Sequence, residues 1–143
     1  MKTAEPGKKF DSGKAPLHTG VINYFPKALV AVAQVSAYGA KKYNLSLIDQ
    51  NWRKVPDGYA RYSDALARHL VDSANHIKDL ESDLLTDAHA AWNALARLEL
   101  LIHNLEATQT KAEKEYPDAE TPSTRTEPHI PTPWGGRVYT YKP

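Results

Sequence analysis

The sequence predicts an all-α fold, a compact bundle of about three main helices with an extended N-terminal arm and an irregular C-terminal tail. Three observations predict it. PKALVAVAQVSAYGAKK, residues 26–42, opens with Pro at a first helical position, is apolar almost throughout, and ends on basic residues where the helix dipole favours them. Within residues 59–78, Leu66, Leu70, Ala74 and Ile77 repeat at helical spacing. Ala91, Leu95, Leu98 and Ile102 do the same in a stretch that runs to about residue 107 behind Thr86 or Asp87 as N-cap.

The elements follow in order. Residues 1–25 mix Gly, Pro, Lys and Asp with isolated apolar residues and show no helical period, so they read as an arm or loop. The helical core is expected over 26–107. Its first helix is Ala, Val and Leu nearly all round, which fits burial against several partners or an oligomer interface. Residues 44–58, NLSLIDQNWRKVPDG, form a long loop carrying Asn51, Trp52, Arg53 and Lys54. Such a group suits stacking on a base and neutralising phosphate, and a tryptophan capping the core is the alternative. On the second helix Arg61, Asp64 and Arg68 lie opposite the apolar stripe, and His69, Asp72 and His76 lie on its flank. After DLESDLLTD, the third helix puts His89, Asn93 and Ala96 in a strip beside its apolar face, with Glu99 close to the middle of that face. An ionised carboxylate there needs a partner: His103, an arginine of the second helix, or a metal. From 108 the chain turns rich in Pro, Thr and charge, a linker followed by HIPTPWGGRVYTYKP, which is apolar enough to dock on this subunit or a neighbour.

Composition narrows the function classes. The 143 residues with 41% apolar content suit one ordinary domain. Lys plus Arg number 18 against 17 Asp plus Glu, so no general electrostatic drive toward duplex nucleic acid or a membrane surface is expected. No apolar run is long enough for a membrane span or a signal peptide, and a cytoplasmic location is expected. Cysteine is absent, so neither disulfides nor thiolate chemistry are available. His69 and His89, with carboxylates drawn from Asp64, Asp72, Asp79, Glu81 and Asp83, could hold a divalent ion, although histidines on a helix flank also serve as hydrogen-bonded structural residues. Lys14 sits in a Gly-containing turn without Walker spacing.

The elements KFDSGKAPL (9–17), PKAL (26–29), YGAKKY (38–43), NWRK (51–54), YARYSDALARHL (59–70) and DAHAAWNALARLE (87–99) resemble, in the same order, a phage and prophage family of dATP/dGTP diphosphohydrolase-like proteins. That family is likened to the MazG-type all-α pyrophosphohydrolases. The resemblance implies oligomerisation and cleavage of a purine deoxynucleoside triphosphate to monophosphate and pyrophosphate with Mg2+ or Mn2+. Carried over by position, it implies Asp64, His69, Glu81, His89 and Asn93 as catalytic residues, with Glu81, His69 and His89 nearest a metal. It also implies Lys14, Asn51, Trp52, Arg61 and Arg68 as nucleotide-binding residues. Two departures stand out: residues 26–42 carry none of the carboxylates of a MazG-type ExxE helix, and Asp83 and Thr86 stand where the family commonly has Gly and His. The expectation is therefore a metal-dependent nucleotide pyrophosphohydrolase that forms a homo-oligomer in the family's manner. The alternatives are a non-catalytic phage protein that sequesters a signalling nucleotide against host defence, and a purely structural helical module.

Overall fold

The structure is a computed structural model and describes residues 7 and 13–115. The aromatic C-terminal stretch and most of the first twelve residues lie outside the described residues. All-α architecture holds among those described: three main helices, no strand, and one isolated antiparallel bridge between Lys78 and Leu85. By contacts the chain divides into one unit, Met1–Ala107, and a second, Thr108–Pro143.

The arm is not wholly extended, since His18–Ile22 forms one π-helical turn just before the first helix, α1, Pro26–Lys42. The limits of α1 are those the sequence predicts, with Pro26 at its start and Lys41 and Lys42 in its last turn. The following loop is built from two 3-10 turns, Leu47–Asp49 and Asn51–Lys54. Gln50, in the left-handed region at φ 43°, separates them. Ser46 Oγ accepts from the Ile48 amide at 3.2 Å and caps the first turn.

The second helix, α2, spans Gly58–Ser73 and ends five residues before the predicted limit of 78. Just past Ser73 the backbone tightens, with the amides of Asn75 and His76 both donating to the Asp72 carbonyl, at 3.0 and 2.8 Å. Thr86 donates its hydroxyl to the His76 carbonyl at 2.8 Å and its amide to the Ile77 carbonyl at 2.9 Å. Residues 76–78 therefore pair with the chain returning toward the third helix instead of continuing α2. Thr86 is 1% exposed, so its hydroxyl needs this partner. Within the turn Asp83 adopts φ 58°, a conformation glycine enters most freely and Asp tolerates better than most residues.

The third helix, α3, runs Thr86–Glu115, eight residues past the expected end at 107, so the linker predicted from 108 begins as helix. Its buried face also differs from the expectation. Ala88, His89, Ala90, Asn93 and Ala96 are buried, whereas Leu95, Leu98 and Ile102 are each 43–52% exposed. On α2 Leu70 is likewise 54% exposed, and Ile77, beyond its end, is 81% exposed. Small residues win the interior because neighbouring elements approach closely: a Cβ on Gly58 would sit 3.0 Å from Leu100 Cδ1. The leucine edge faces outward, and Leu66, Leu70, Asp87, Ala90, Ala91 and Ala94 line a shallow groove between α2 and α3. No described helix is long and apolar enough to cross a membrane.

Candidate functional site

A cleft of about 720 Å³ is enclosed by α1, the loop, α2, the turn after α2 and α3. That is within the range of small-molecule sites. α2 contributes Arg61, Tyr62, Ala65, Arg68 and His69, at i, i+1, i+4, i+7 and i+8, a single helical face. From α1 come Val35, Tyr38, Gly39 and Lys42, another such face. α3 gives His89, Trp92 and Asn93, and the turn gives Asp79 and Glu81.

One wall is aromatic. Trp52, Tyr62 and Trp92 meet edge to face, with centroids 6.3 Å apart for Trp52–Tyr62, 6.0 Å for Trp52–Trp92 and 5.6 Å for Tyr62–Trp92. Their polar atoms are satisfied: Tyr62 donates to the Trp52 carbonyl at 2.7 Å, and Trp92 Nε1 donates to Ser36 Oγ at 2.8 Å. The loop is thereby tied to all three helices. Arg53 strengthens the tie, stacking over Trp52 at 4.9 Å and pairing with Glu99 at 2.8 Å. Glu99 thus finds its counter-ion in the loop rather than on α2.

The opposite end carries the titratable groups. Asp79 Oδ1 accepts from the Ser82 hydroxyl at 2.8 Å, the Ser82 amide at 2.8 Å and the Glu81 amide at 3.2 Å. Ser82 Oγ also lies 2.8 Å from His89 Nε2 and accepts from the Leu84 amide at 3.3 Å. A carboxylate only accepts, so the serine proton goes to Asp79 and His89 donates through Nε2 to Ser82. Ser82 therefore has its proton and both lone pairs engaged in this arrangement of Ser, His and Asp. The His69 and His89 rings stack at 4.9 Å, and the Tyr38 ring meets His89 edge-on at 6.1 Å. Asn93 Nδ2 donates to the His89 carbonyl at 2.8 Å. Glu81 is held by Lys42 at 2.6 Å and by the Tyr38 hydroxyl, and these partners keep its carboxyl below the usual range.

Of the residues expected in a site, Asn51, Trp52, Arg61, Arg68, His69, Glu81, His89 and Asn93 all line this one cleft. Lys14 and Asp64 are exposed and do not line it. Asp64, three residues after Arg61 and four before Arg68, shares their side of α2 but lies at its edge, outside the cleft lining. The family model described as dATP/dGTP diphosphohydrolase, N-terminal, matches residues 4–111, a span that takes in every element of the cleft. The chain belongs to this family. No curated protein and no solved structure matches it.

Charge is unevenly divided in the cleft of this dATP/dGTP diphosphohydrolase N-terminal family member. Lys42, Lys54, Arg61 and Arg68 face the cleft against two carboxylates, Asp79 and Glu81, so four cations oppose two anions. Among the described residues, no three His, Asp or Glu side chains are disposed to hold one metal ion together. Glu81 is paired with Lys42 and the two imidazoles face each other. Sequence reasoning missed Tyr38 and Lys42 as site residues, although YGAKKY was noted; their i, i+3, i+7 spacing with the buried Val35 was the available signal. It also passed over Ser82 and Trp92, neither of which differs by residue type from an ordinary turn serine or core tryptophan.

The same groups link stability to pH. Burial pushes the His89 pKa down, outweighing the opposing pull of Asp79. The unfolded chain then takes up the proton first as pH falls through the ordinary imidazole range, and the fold loses stability. For Asp79, desolvation would raise the carboxyl, but the Ser82 and Glu81 hydrogen bonds and His89 hold it down. Its contribution is full above the ordinary carboxylate range and is lost only as pH falls below it. The melting temperature is expected to decline from pH 7 to pH 5 through His89, with a further decline below pH 4. In His89→Gln the first decline flattens while the second remains; a wild-type profile flat between pH 7 and 5 would contradict the assignment.

Proposed function

We propose that the cleft binds a purine deoxynucleoside triphosphate, and that the protein hydrolyses it to monophosphate and pyrophosphate. The observation that carries this reading is the pairing, in a single cleft of a chain from this family, of an aromatic wall with a surplus of cations. The base lies against Trp52 and Tyr62, where stacking is tolerant of sequence and strong. Arg61 and Arg68, two turns apart on one face of α2, take the phosphates and offset the charge that develops on the leaving pyrophosphate. Water attacks the α-phosphorus, the bond to the bridging oxygen breaks, and pyrophosphate departs. His69 Nδ1 is covered and has no hydrogen-bond partner among the described residues. The less costly tautomer leaves the lone pair there and the proton on Nε2, which makes His69 a donor suited to a phosphate oxygen. Mg2+ or Mn2+ enters this reading as the counter-ion of the triphosphate, since no three protein ligands converge on one position among the described residues.

A second reading, sequestration of an intact nucleotide, is favoured by one observation: the Ser82 hydroxyl is engaged by Asp79, His89 and the Leu84 amide. The proposal also extends to self-assembly, supported by the outward leucine edge of α2 and α3.

One experiment separates the readings. The purified protein is incubated with deoxy-, ribo- and cyclic nucleotides, with and without Mg2+ or Mn2+, and both free products and denaturation-released ligand are chromatographed. Metal-dependent formation of monophosphate and pyrophosphate is the expected result. Intact nucleotide released only on denaturation supports sequestration, and no association with any nucleotide refutes both. The solution mass of the same sample checks assembly, for which a monomer is the refuting value.

A further inference from the structure

We propose that Lys42 is a phosphate-binding residue of the cleft and that Glu81 occupies its ammonium group only until a triphosphate arrives, so that carboxylate and phosphate compete for one cation. This rests on the nucleotide reading above and adds a binding group and a built-in competitor to it. Lys42 Nζ lies 2.6 Å from Glu81 Oε1, and the Tyr38 hydroxyl, one turn earlier on α1, holds the same carboxylate. All three side chains line the cleft together with Arg61 and Arg68. A carboxylate offers an ammonium group the same kind of charged oxygen acceptor that a phosphate does.

Two features make the contact exchangeable. The Lys42 and Glu81 side chains are 38% and 63% exposed, and ion pairs so open to water are weak. A polyanion carrying several charges into a cleft with surplus cations outcompetes a single carboxylate for such a pair. Among the described residues, Lys42 is also the only one of the four cleft cations held by a carboxylate; no ion pair engages Lys54, Arg61 or Arg68. The restraint therefore falls on one position. Glu81 sits on the turn after α2 and Lys42 on α1, so the exchange changes a link between two separate elements of the cleft.

The test is a double-mutant cycle read by isothermal titration calorimetry, with dATP and inorganic tripolyphosphate as probes in EDTA, so that neither turnover nor metal binding contributes. Neither substitution touches the buried interior. Glu81→Gln is expected to tighten both probes roughly threefold to fivefold, the scale of an exposed ion pair. Lys42→Met is expected to weaken both about tenfold, and Glu81→Gln in the Lys42→Met background to change either by less than twofold. Equal tightening in both backgrounds would reveal a general field effect and overturn the competition. An unchanged or weaker Glu81→Gln, or an indifferent Lys42→Met, overturns it as well, and both leave the nucleotide reading standing so long as dATP binds. Failure of all four proteins to bind either probe overturns the inference and the nucleotide reading together.

Discussion

Trp92→Ala is expected to destabilise the protein by about 3 kcal/mol, the low end of the range for removing a large aromatic side chain from a packed site. Trp92 joins four elements at once. It extends from α3, meets Trp52 of the loop at 6.0 Å and Tyr62 of α2 at 5.6 Å, and donates to Ser36 of α1 at 2.8 Å. Its removal opens a void where the loop meets the helices and leaves Trp52 with Tyr62 alone of its two edge contacts. Trp92→Phe keeps most of the ring contact and loses the hydrogen bond to Ser36, so its cost is expected near 1 kcal/mol. Urea unfolding of the two variants measures the difference. Equal losses would mean that the hydrogen bond, not the aromatic packing, ties the loop down.

The second large effect concerns binding rather than folding. Arg61→Met and Arg68→Met are each expected to weaken dATP about tenfold, and together by a hundredfold or more, because each removes a charge-assisted bond to phosphate. Both arginines are exposed on α2, so stability is expected to shift by no more than about 0.5 kcal/mol. Asp64→Asn, also exposed on α2 but outside the cleft, is the contrast: dATP affinity and turnover are expected to stay within about twofold. Isothermal titration and product chromatography check both statements. Loss of turnover in Asp64→Asn with the arginines intact would place the chemistry at the outer edge of the arginine side of α2, not within the cleft.

What the sequence made legible followed from strong local signals. Pro26 and the Lys41–Lys42 pair mark both ends of α1, and helical spacing sets His89 and Asn93 in one strip of α3, to which the family resemblance adds a site role. The end of α2 was hidden because residues 74–78 keep a helical apolar pattern, while the capture of the His76 and Ile77 carbonyls by Thr86 is a tertiary event. The inner face of α3 was misjudged for a different reason. Leucine outranks alanine, histidine and asparagine in any transfer scale, yet close approach of neighbouring elements admits only the smaller set, and the leucines stand at the surface. Lys42 reads in sequence as a residue matched to the helix dipole. Only the turn after α2, folded back against α1, gives it Glu81 as a partner.

The buried side chains Val35, His89 and Asn93 are at the same time the floor of the cleft. In a domain this small the interior doubles as the workplace, and this restricts how its specificity can drift. A substitution on the floor is tested by folding before it is tested by chemistry, so few such changes survive to be selected. New ligand preferences have to arise at the rim, where Leu47, Gln50, Asn51 and Lys54 face solvent and can vary at little structural risk. Relatives that prefer different nucleotides should therefore share a floor and differ in the loop.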